Sequence, residues 1–324
     1  MGQLRKHHTE LNSEVLEEQK SFYGICLQSE EIIERIKKHG FKDKILFEKI
    51  KKYLDEDISH NNSEDVHTMN LLYLSLKNIP SEEDIGFMKA LQGLEQQTIL
   101  VDDVIDNPLA NEKELKTGIG FVVYKVLNEI FYETLNKSKF SSEKKLELIV
   151  DWNKLGETIY LGQTMDLLNQ NKQTFSLKEY LDVISLTTAS FTEYCMKLSA
   201  KTSGYDKKQE NIIGEIGKYI GIAFQIRDDF YDFEKDLKEE KNRIFSVLEC
   251  PKSVSQETYL SSTIEDKINY ASELSALNFV KDQNNVALGT VSDLVNKSLL
   301  DQNAKQKIYD ICDLIKLESK TIIF

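Results

Sequence analysis

Apolar residues recur every three to four positions along most of the chain, a spacing typical of amphipathic α-helices. Only three prolines interrupt it, at Pro80, Pro108 and Pro251. The pattern predicts helices over residues 12–39, 41–57, 64–77, 82–106, 118–136, 142–169, 177–203 and 207–240, with two to four more towards the C-terminus. We therefore expect an all-α protein.

Capping residues and loops mark the ends of several predicted helices. Ser81 and Asp84 introduce the run at 82–106, and Ser176 with Glu179 forms a capping box before the run at 177. Three glycines stand where helices are expected to stop: Gly40, Gly118 and Gly204. The polar stretches NPLANEKELKTG (107–118) and CPKSVSQ (250–256) are predicted to be loops. No linker divides the chain, so we expect residues 1–324 to form a single domain built as a helical bundle.

Two of the predicted helices carry the same acidic pattern, Asp-Asp-x-x-Asp. The six aspartates are Asp102, Asp103, Asp106, Asp228, Asp229 and Asp232. In a helix, the first and last aspartate of each cluster lie one turn apart on the same face. The apolar stretches TILV and IGIAFQI lead into the two clusters, whereas a solvated helix face is not normally preceded by such runs. This context favours a functional role over a solvated surface cluster.

Carboxylates aligned on a helix face are suitable ligands for hard divalent cations. Mg²⁺ prefers oxygen ligands and commonly joins a carboxylate to a substrate phosphate. Two facing rows of aspartates could therefore hold several Mg²⁺ ions, and these ions could hold a diphosphate between them. We expect Mg²⁺ as the cofactor.

Composition and charge narrow the class of function. The 324-residue chain has a formal net charge of -13, which argues against nucleic acid and against an anionic membrane surface as partners. No apolar run approaches the roughly 18 residues that span a bilayer. The first residues, MGQLRKHHTELN, lack the apolar core of a signal peptide, and the four cysteines are scattered without a CxxC pattern. These features predict reduced thiols and a cytoplasmic protein.

Four elements, in order along the chain, resemble the trans-isoprenyl diphosphate synthases, or polyprenyl synthetase family. LVDDVIDN resembles the family's first aspartate motif, and GIAFQIRDDFYD resembles the second. GQTMDL (162–167) is similar to a Gly-Gln-x-x-Asp-Leu element between them, and DLKEEK (236–241) to an Asp-Leu-x-x-x-Lys segment after them. The resemblance covers about residues 85–250. It implies the class I isoprenoid synthase fold, a helical bundle around a central cavity, and a homodimer acting on an allylic prenyl diphosphate.

The resemblance also implies roles for individual residues. All six aspartates would hold Mg²⁺, with three ions bound, and Asp102, Asp103 and Asp228 would take part in catalysis through the bound metal. The residues expected to contact the allylic substrate or its diphosphate are Gln163, Asp166, Thr187, Thr188, Gln225, Arg227 and Lys241. Helix residues such as Gln163 could instead pair with neighbouring side chains, and Lys241 could be a solvated lysine.

The chain departs from the family pattern where a second substrate, isopentenyl diphosphate, would bind. ISHNNSEDVHTMN (58–70) replaces the family's Gly-Gly-Lys-x-x-Arg element and contains no Lys or Arg. NPLANEKELKTG replaces an Arg-Arg pair, and no arginine occurs between Arg35 and Arg227. Thr187 stands where the family has the lysine of a Lys-Thr element. Because a bound diphosphate needs several cationic or hydrogen-bonding partners, we do not expect a second diphosphate site of the usual kind.

These features together indicate an enzyme that ionises an allylic prenyl diphosphate without extending it, which favours a terpene synthase. Three alternatives remain open. One is a prenyltransferase acting on an aromatic or peptide acceptor. Another is a chain-elongating synthase that uses Lys113, Lys116 or His67 in place of the arginines. The third is a regulatory subunit of an active synthase, against which the intact aspartates argue.

Overall fold

A computed structural model describes residues 29–60, 68–77, 79–106, 113–170, 176–238, 262–263, 266 and 276–317. This part of the chain is helical and contains no strand, so the predicted all-α fold is confirmed. The helices are α1 (Ser29–Lys38), α2 (Lys44–His60), α3 (Thr68–Leu74), α4 (Glu82–Asp106), α5 (Lys113–Lys137), α6 (Ser142–Gln170), α7 (Leu177–Leu186), α8 (Thr188–Thr202), α9 (Lys207–Lys238), α10 (Ala276–Lys297) and α11 (Gln302–Ile315). None of these helices is both long enough and apolar enough to cross a membrane.

The chain falls into two compact units. The first comprises Met1–Leu71 and Ile79–Ser141, which include α1, α2, α4, α5 and the start of α3. The second comprises Leu72–Asn78 and Ser142–Phe324, which include the end of α3 and helices α6 to α11. A single functional domain over residues 1–324 stays a prediction.

In the first unit, α4 packs along α5. The buried rings of Phe87 and Phe131 lie with their centroids 5.4 Å apart, a tilted aromatic contact. A side chain at Gly86 would place its Cβ 2.7 Å from Thr134 Cγ2, so the two helices approach each other closely at this point. Burial of these side chains stabilises the helix that carries the first aspartate cluster.

In the second unit, α9 packs against α7, α8, α10 and α11. Its contact with α8 is very close, because a Cβ on Gly221 would lie 2.7 Å from Ala189 Cα, and one on Gly217 would lie 2.8 Å from Met196 Cγ. Glycine has no side chain, so the two backbones can meet at these positions. The close approach brings side chains one turn further along α9 within reach of α8.

Several helix ends agree with the sequence. The Asp84 backbone N–H donates to Ser81 Oγ at 3.1 Å, and the predicted capping box of Ser176 and Glu179 is present at the start of α7. Gly40 and Gly204 follow α1 and α8 with φ of 88° and 80°, the left-handed conformation that glycine adopts at low cost.

Other predicted boundaries are wrong. Gly118 does not end a helix but lies within α5, and residues 113–118, predicted as a loop, are helical. The apolar residues that follow, Ile119 and Val123, are buried, and their packing outweighs the cost of about 1 kcal/mol for a helical glycine. The predicted helix 177–203 is interrupted at Thr187, whose φ of -98° and ψ of -103° are not helical. The predicted loop at 250–256 and residues 12–28 lie outside the described part of the chain.

A buried lysine joins two helices of the second unit. The side chain of Lys201 on α8 is only 4% exposed and pairs with the carboxylates of Glu147 and Asp151 on α6. Burial alone would lower the pKa of Lys201, but the hydrogen bonds to Asp151 and Glu147 outweigh it and the pKa is raised. The hydrogen bond from Lys201 lowers the pKa of Glu147 to about 2.

An asparagine ties the end of the described chain to α9. Asn284 on α10 is fully buried, and its amide donates to Ala223 O at 2.8 Å and to Ile315 O at 3.2 Å. Its side-chain oxygen accepts from the Leu317 backbone N–H at 3.2 Å. One side chain therefore satisfies three backbone groups from two different segments.

Candidate active site

The first aspartate cluster lies in the last turns of α4, in the first unit. Asp102, Asp103 and Asp106 are helical, so Asp102 and Asp106 are one turn apart as predicted. Their side chains lie outside the described part of the structure. Their role as metal ligands stays a prediction.

The second cluster lies on α9, in the second unit, where the two adjacent aspartates have different surroundings. Asp228 is exposed to solvent, whereas Asp229 is only 6% exposed. The side chain of Asp232 lies outside the described residues. The carboxylates of Asp228 and Asp229 therefore differ in their access to a ligand, although both belong to the same Asp-Asp-x-x-Asp cluster.

Two hydrogen bonds to Asp229 and one to its neighbour Gln225 link this part of α9 to α7 and α8. The phenol of Tyr180 donates to Asp229 Oδ2 at 2.5 Å, and the Gln225 side-chain Nε2 donates to Asp229 Oδ1 at 2.8 Å. The Thr188 hydroxyl donates to Gln225 Oε1 at 2.5 Å. Both carboxylate oxygens of Asp229 thus accept hydrogen bonds from protein side chains, as a buried charge requires. We call Tyr180, Asp229, Gln225 and Thr188 the Asp229 network.

The break between α7 and α8 positions one end of this network. Thr187 ends α7, and its hydroxyl donates to Val183 O at 3.0 Å. Helix α6 approaches the break closely, because a Cβ on Gly162 would lie 2.7 Å from Thr187 Cγ2 and 2.8 Å from Leu186 Cβ. The structure thus brings the GQTMDL segment against the predicted Thr187–Thr188 pair.

The other predicted substrate residues are placed as follows. Gln163, next to Gly162, is buried, and Asp166 is half-buried on the same helix. The half-buried guanidinium of Arg227 lies over the ring of Tyr231, 5.6 Å from its centroid. Lys241 lies outside the described residues.

Sequence reasoning missed Tyr180. In the sequence this residue belongs to the run that begins at 177, and a tyrosine in an apolar helix gives no sign of its hydrogen-bond partner. The structure shows that the Tyr180 ring belongs to a buried apolar cluster with Ile184, Ile226 and Leu317, while its hydroxyl reaches Asp229. An apolar ring with a partnered polar tip is the usual form of a buried tyrosine.

The described residues do not by themselves form a metal site. Among the side chains that the structure describes, no group of three or more His, Cys, Asp or Glu could hold a metal ion. Four of the six predicted aspartate ligands lie outside that set. Of the other two, Asp228 offers an exposed carboxylate suited to Mg²⁺, whereas the carboxylate oxygens of Asp229 already accept hydrogen bonds.

The fold is that of the helical polyprenyl synthases. A geranylgeranyl pyrophosphate synthetase from the archaeon Geoglobus acetivorans superimposes with a TM-score of 0.70 at 15% sequence identity, over 89% of this chain and 97% of that one. A heptaprenyl diphosphate synthase from Staphylococcus aureus superimposes with a TM-score of 0.65 at 17% identity, over 89% and 98% of the two chains. At such identities the likeness establishes the fold.

The chain belongs to the polyprenyl synthetase family, which matches residues 68–246. This range contains both aspartate clusters and the Asp229 network. The resemblance drawn from the sequence is therefore confirmed, as is the prediction of an enzyme of this family.

Relatives of known sequence are prenyl diphosphate synthases by name. A short chain isoprenyl diphosphate synthase from Methanocaldococcus jannaschii is 26% identical over 218 residues, which cover 64% of this chain and 65% of the relative. A geranylfarnesyl diphosphate synthase from Natronomonas pharaonis is 23% identical over 283 residues, which cover 78% of this chain and 80% of the relative. The chain thus spans about two thirds to four fifths of the length of these two relatives.

Proposed function

We propose that this protein is a Mg²⁺-dependent enzyme that ionises an allylic prenyl diphosphate and does not extend it with isopentenyl diphosphate. The observation that carries the first part is the Asp229 network beside the exposed carboxylate of Asp228 on α9. It sets an ordered row of hydrogen-bonding side chains next to a solvent-exposed acidic group. Fixed dipoles of this kind stabilise charge that develops in a reaction.

The proposed metal ligands come from both aspartate clusters. They are Asp102, Asp103 and Asp106 of the first cluster and Asp228 and Asp232 of the second. Bound Mg²⁺ would supply Lewis-acid stabilisation of the departing diphosphate. The role of the chain itself is to place the carboxylates on rigid helices and to orient Gln225 and Thr188. Asp102 and Asp106 share one face of α4, so both can contribute to the same site.

The distribution of arginine supports the absence of extension. No arginine occurs between Arg35 and Arg227, so this stretch cannot supply a bidentate arginine clamp to a second diphosphate. Arg35 itself pairs with Glu31 and Glu133 in the first unit. Thr187, at the position of the family's lysine, is also uncharged and donates its hydroxyl hydrogen to Val183. Without a second diphosphate, the allylic cation would be captured internally to give a terpene.

A chain-elongating synthase is the second candidate, because the relatives named above are isoprenyl and geranylfarnesyl diphosphate synthases. Under this alternative, lysines such as Lys113 and Lys116 would replace the missing arginines as single-point donors. A lysine binds phosphate as a point charge and lacks the two parallel hydrogen bonds of arginine. The alternative therefore predicts consumption of isopentenyl diphosphate.

The test is to incubate purified protein with Mg²⁺ and geranyl, farnesyl or geranylgeranyl diphosphate, each with and without isopentenyl diphosphate. Extracts are analysed by gas chromatography before and after phosphatase treatment. A hydrocarbon or alcohol formed without isopentenyl diphosphate, and lost in Asp228→Asn, supports the proposal. A longer prenyl alcohol, found only after phosphatase and only with isopentenyl diphosphate, would establish the elongating synthase instead. Unchanged substrate in every reaction would direct the search to an aromatic or peptide acceptor.

A further inference from the structure

The hydrogen bonds of the Asp229 network have a defined direction. A carboxylate only accepts hydrogen bonds, so both Tyr180 and Gln225 must donate to Asp229. Because Gln225 directs its amide nitrogen to Asp229, its oxygen is directed to Thr188. The Thr188 hydroxyl therefore donates to Gln225, and only its acceptor capacity remains. The buried charge of Asp229 thus fixes, through Gln225, the orientation of the Thr188 hydroxyl.

The direction of the hydrogen bonds in the Asp229 network depends on Tyr180. Asp229 is only 6% exposed, so its charge must be balanced by hydrogen bonds within the protein. Gln225 supplies one hydrogen bond from the same helix, one turn away, and Tyr180 supplies another from α7. The Tyr180 ring is fixed independently by its buried apolar cluster with Ile184, Ile226 and Leu317.

We propose that Tyr180 is a positioning residue, which fixes Asp229 and, through Gln225, presents the Thr188 oxygen as a hydrogen-bond acceptor at the site. This inference rests on the proposed function, since an acceptor of fixed orientation favours a developing positive charge such as an allylic cation. Asp229 acts in this arrangement as the anchor of the network and not as a metal ligand. Tyr180 acts through Asp229 and makes no contact of its own with substrate.

The first experiment compares Tyr180→Phe with Tyr309→Phe, which removes the same hydroxyl from α11. Tyr180→Phe keeps the buried ring, so the protein should remain folded. We expect kcat to fall roughly 10- to 100-fold with little change in KM, a loss typical of residues that orient the groups of a reactive site without touching the substrate. Tyr309→Phe should leave both constants unchanged. A loss confined to KM, or equal losses in the two variants, would overturn the proposal.

The second experiment is a double-mutant cycle with Thr188→Val. If Tyr180 acts through the network, the double variant should be no slower than the slower single variant. A merely structural role of Tyr180 would instead give multiplied losses that follow the loss of thermal stability. Multiplied losses would therefore refute a positioning role.

The third experiment tests whether Asp229 is a metal ligand, and its readout is binding and not turnover. Binding of inorganic diphosphate in the presence of Mg²⁺ is measured by calorimetry for Asp229→Asn and Asp228→Asn. An asparagine at 229 can still accept from Gln225 and can donate to the Tyr180 oxygen, so diphosphate binding should persist. Asp228→Asn should weaken it at least tenfold. Equal weakening in both variants would make Asp229 a metal ligand and overturn its role as anchor.

The fourth experiment tests the network independently of activity. 3-Fluorotyrosine is placed at position 180, and its ¹⁹F resonance is followed on Thr188→Val and on the control Thr290→Val, whose hydroxyl bonds Val286 O on α10. We expect a shift with Thr188→Val alone. If that shift appears but no prenyl diphosphate is ionised, the proposed function fails while the network stands. If the protein is active and neither substitution moves the resonance, the network proposal fails by itself.

Discussion

At the level of single residues, two buried charges in the described part of the second unit each meet several partners. Lys201 pairs with two carboxylates, and Asp229 accepts from two side chains. A buried charge that loses one such partner costs more than the pair contributed, because the remaining charge is left uncompensated. The cost of a substitution at these positions therefore depends on which buried charge is left without its partner.

The Glu147–Lys201 pair predicts a pH-dependent contribution to stability. The folded-state pKa of Glu147 is about 2, against an ordinary value of 4.5, because Lys201 hydrogen-bonds its carboxylate. The stabilisation is therefore fully present above about pH 4.5 and is lost as the pH falls towards 2. In urea unfolding, Glu147→Gln should be less stable than the wild type at pH 7, and the difference should shrink by pH 3. The exposed Glu157→Gln on the same helix should show no such trend, and a constant difference for Glu147→Gln would contradict this linkage.

The buried cysteines should be chemically inert in the folded protein. Burial raises the pKa of Cys312 to about 12, and Cys195 is fully buried on α8. Since the thiolate is the reactive form, neither should react with Ellman's reagent. The measurement uses a variant in which Cys26 and Cys250 are replaced by serine, with and without urea. Two thiols should react in urea and none without it, and rapid labelling in buffer alone would refute the assigned burial.

At the level of elements, α9 combines close helix contact with the candidate site. Gly221 lets α9 approach α8, and Gln225 and Asp229 follow one and two turns further along the same helix. The close approach and the polar network are thus parts of one helix face. Packing at Gly221 should therefore influence both stability and the orientation of Gln225.

Two glycine substitutions on different helices should have opposite signs. Gly221→Ala would place a Cβ 2.7 Å from Ala189 Cα, and we expect a loss of about 1–3 kcal/mol in the free energy of unfolding. Gly289→Ala on α10 meets nothing within 4 Å, so the higher helix propensity of alanine should stabilise the protein by about 0.5–1 kcal/mol. Urea unfolding of both variants tests this. Equal effects would show that α8 and α9 do not touch at Gly221.

The helical elements were largely predictable, but their interruptions were not. Helices α4 and α6 have the predicted bounds to within one residue, because the spacing of their apolar residues is regular. Gly118 was misread as a stop, since the sequence does not show the burial that carries α5 through it. The break at Thr187 lies where Gly162 approaches it closely, and this contact joins residues that are far apart in the chain.

At the level of the whole molecule, the second unit joins its C-terminal segment to the helix of the candidate site. Asn284 bonds Ala223, two residues before Gln225, and also bonds Ile315 and Leu317. Leu317 packs in the same apolar cluster as Tyr180. The end of α11 therefore belongs to the supports of the Asp229 network.

Removing this asparagine should loosen both segments together. Asn284→Ala leaves buried backbone groups without their side-chain partner, and we expect a loss of about 2–4 kcal/mol in stability. Hydrogen exchange should become faster at residues 315–317 and along α9 near Ala223. Asn296→Ala, at an exposed position on α10, is the matched control and should change neither. Faster exchange at 315–317 alone would mean that α9 does not depend on this contact.

The residue types of the candidate site could be predicted from the sequence, but the burial and the partners of each residue could not. The aspartate clusters, Gln225 and Thr188 could be identified because their residue types and spacing resemble a family pattern. The pattern could not distinguish exposed Asp228 from buried Asp229, since burial is set by α7 and α8 and not by neighbours in sequence. Tyr180 was missed for the same reason, because its partner lies 49 residues away.

The interruption at Thr187 has a consequence for how this protein can vary in evolution. Tyr180 and Thr188 stand on opposite sides of the break and reach the same helix, α9. Inserting or deleting one residue between them would rotate one side by about 100° relative to the other and separate both from their partners. Apart from the buried Ile184, individual side chains between them are less constrained. The segment 181–187 should therefore tolerate changes of composition among homologues far better than changes of length.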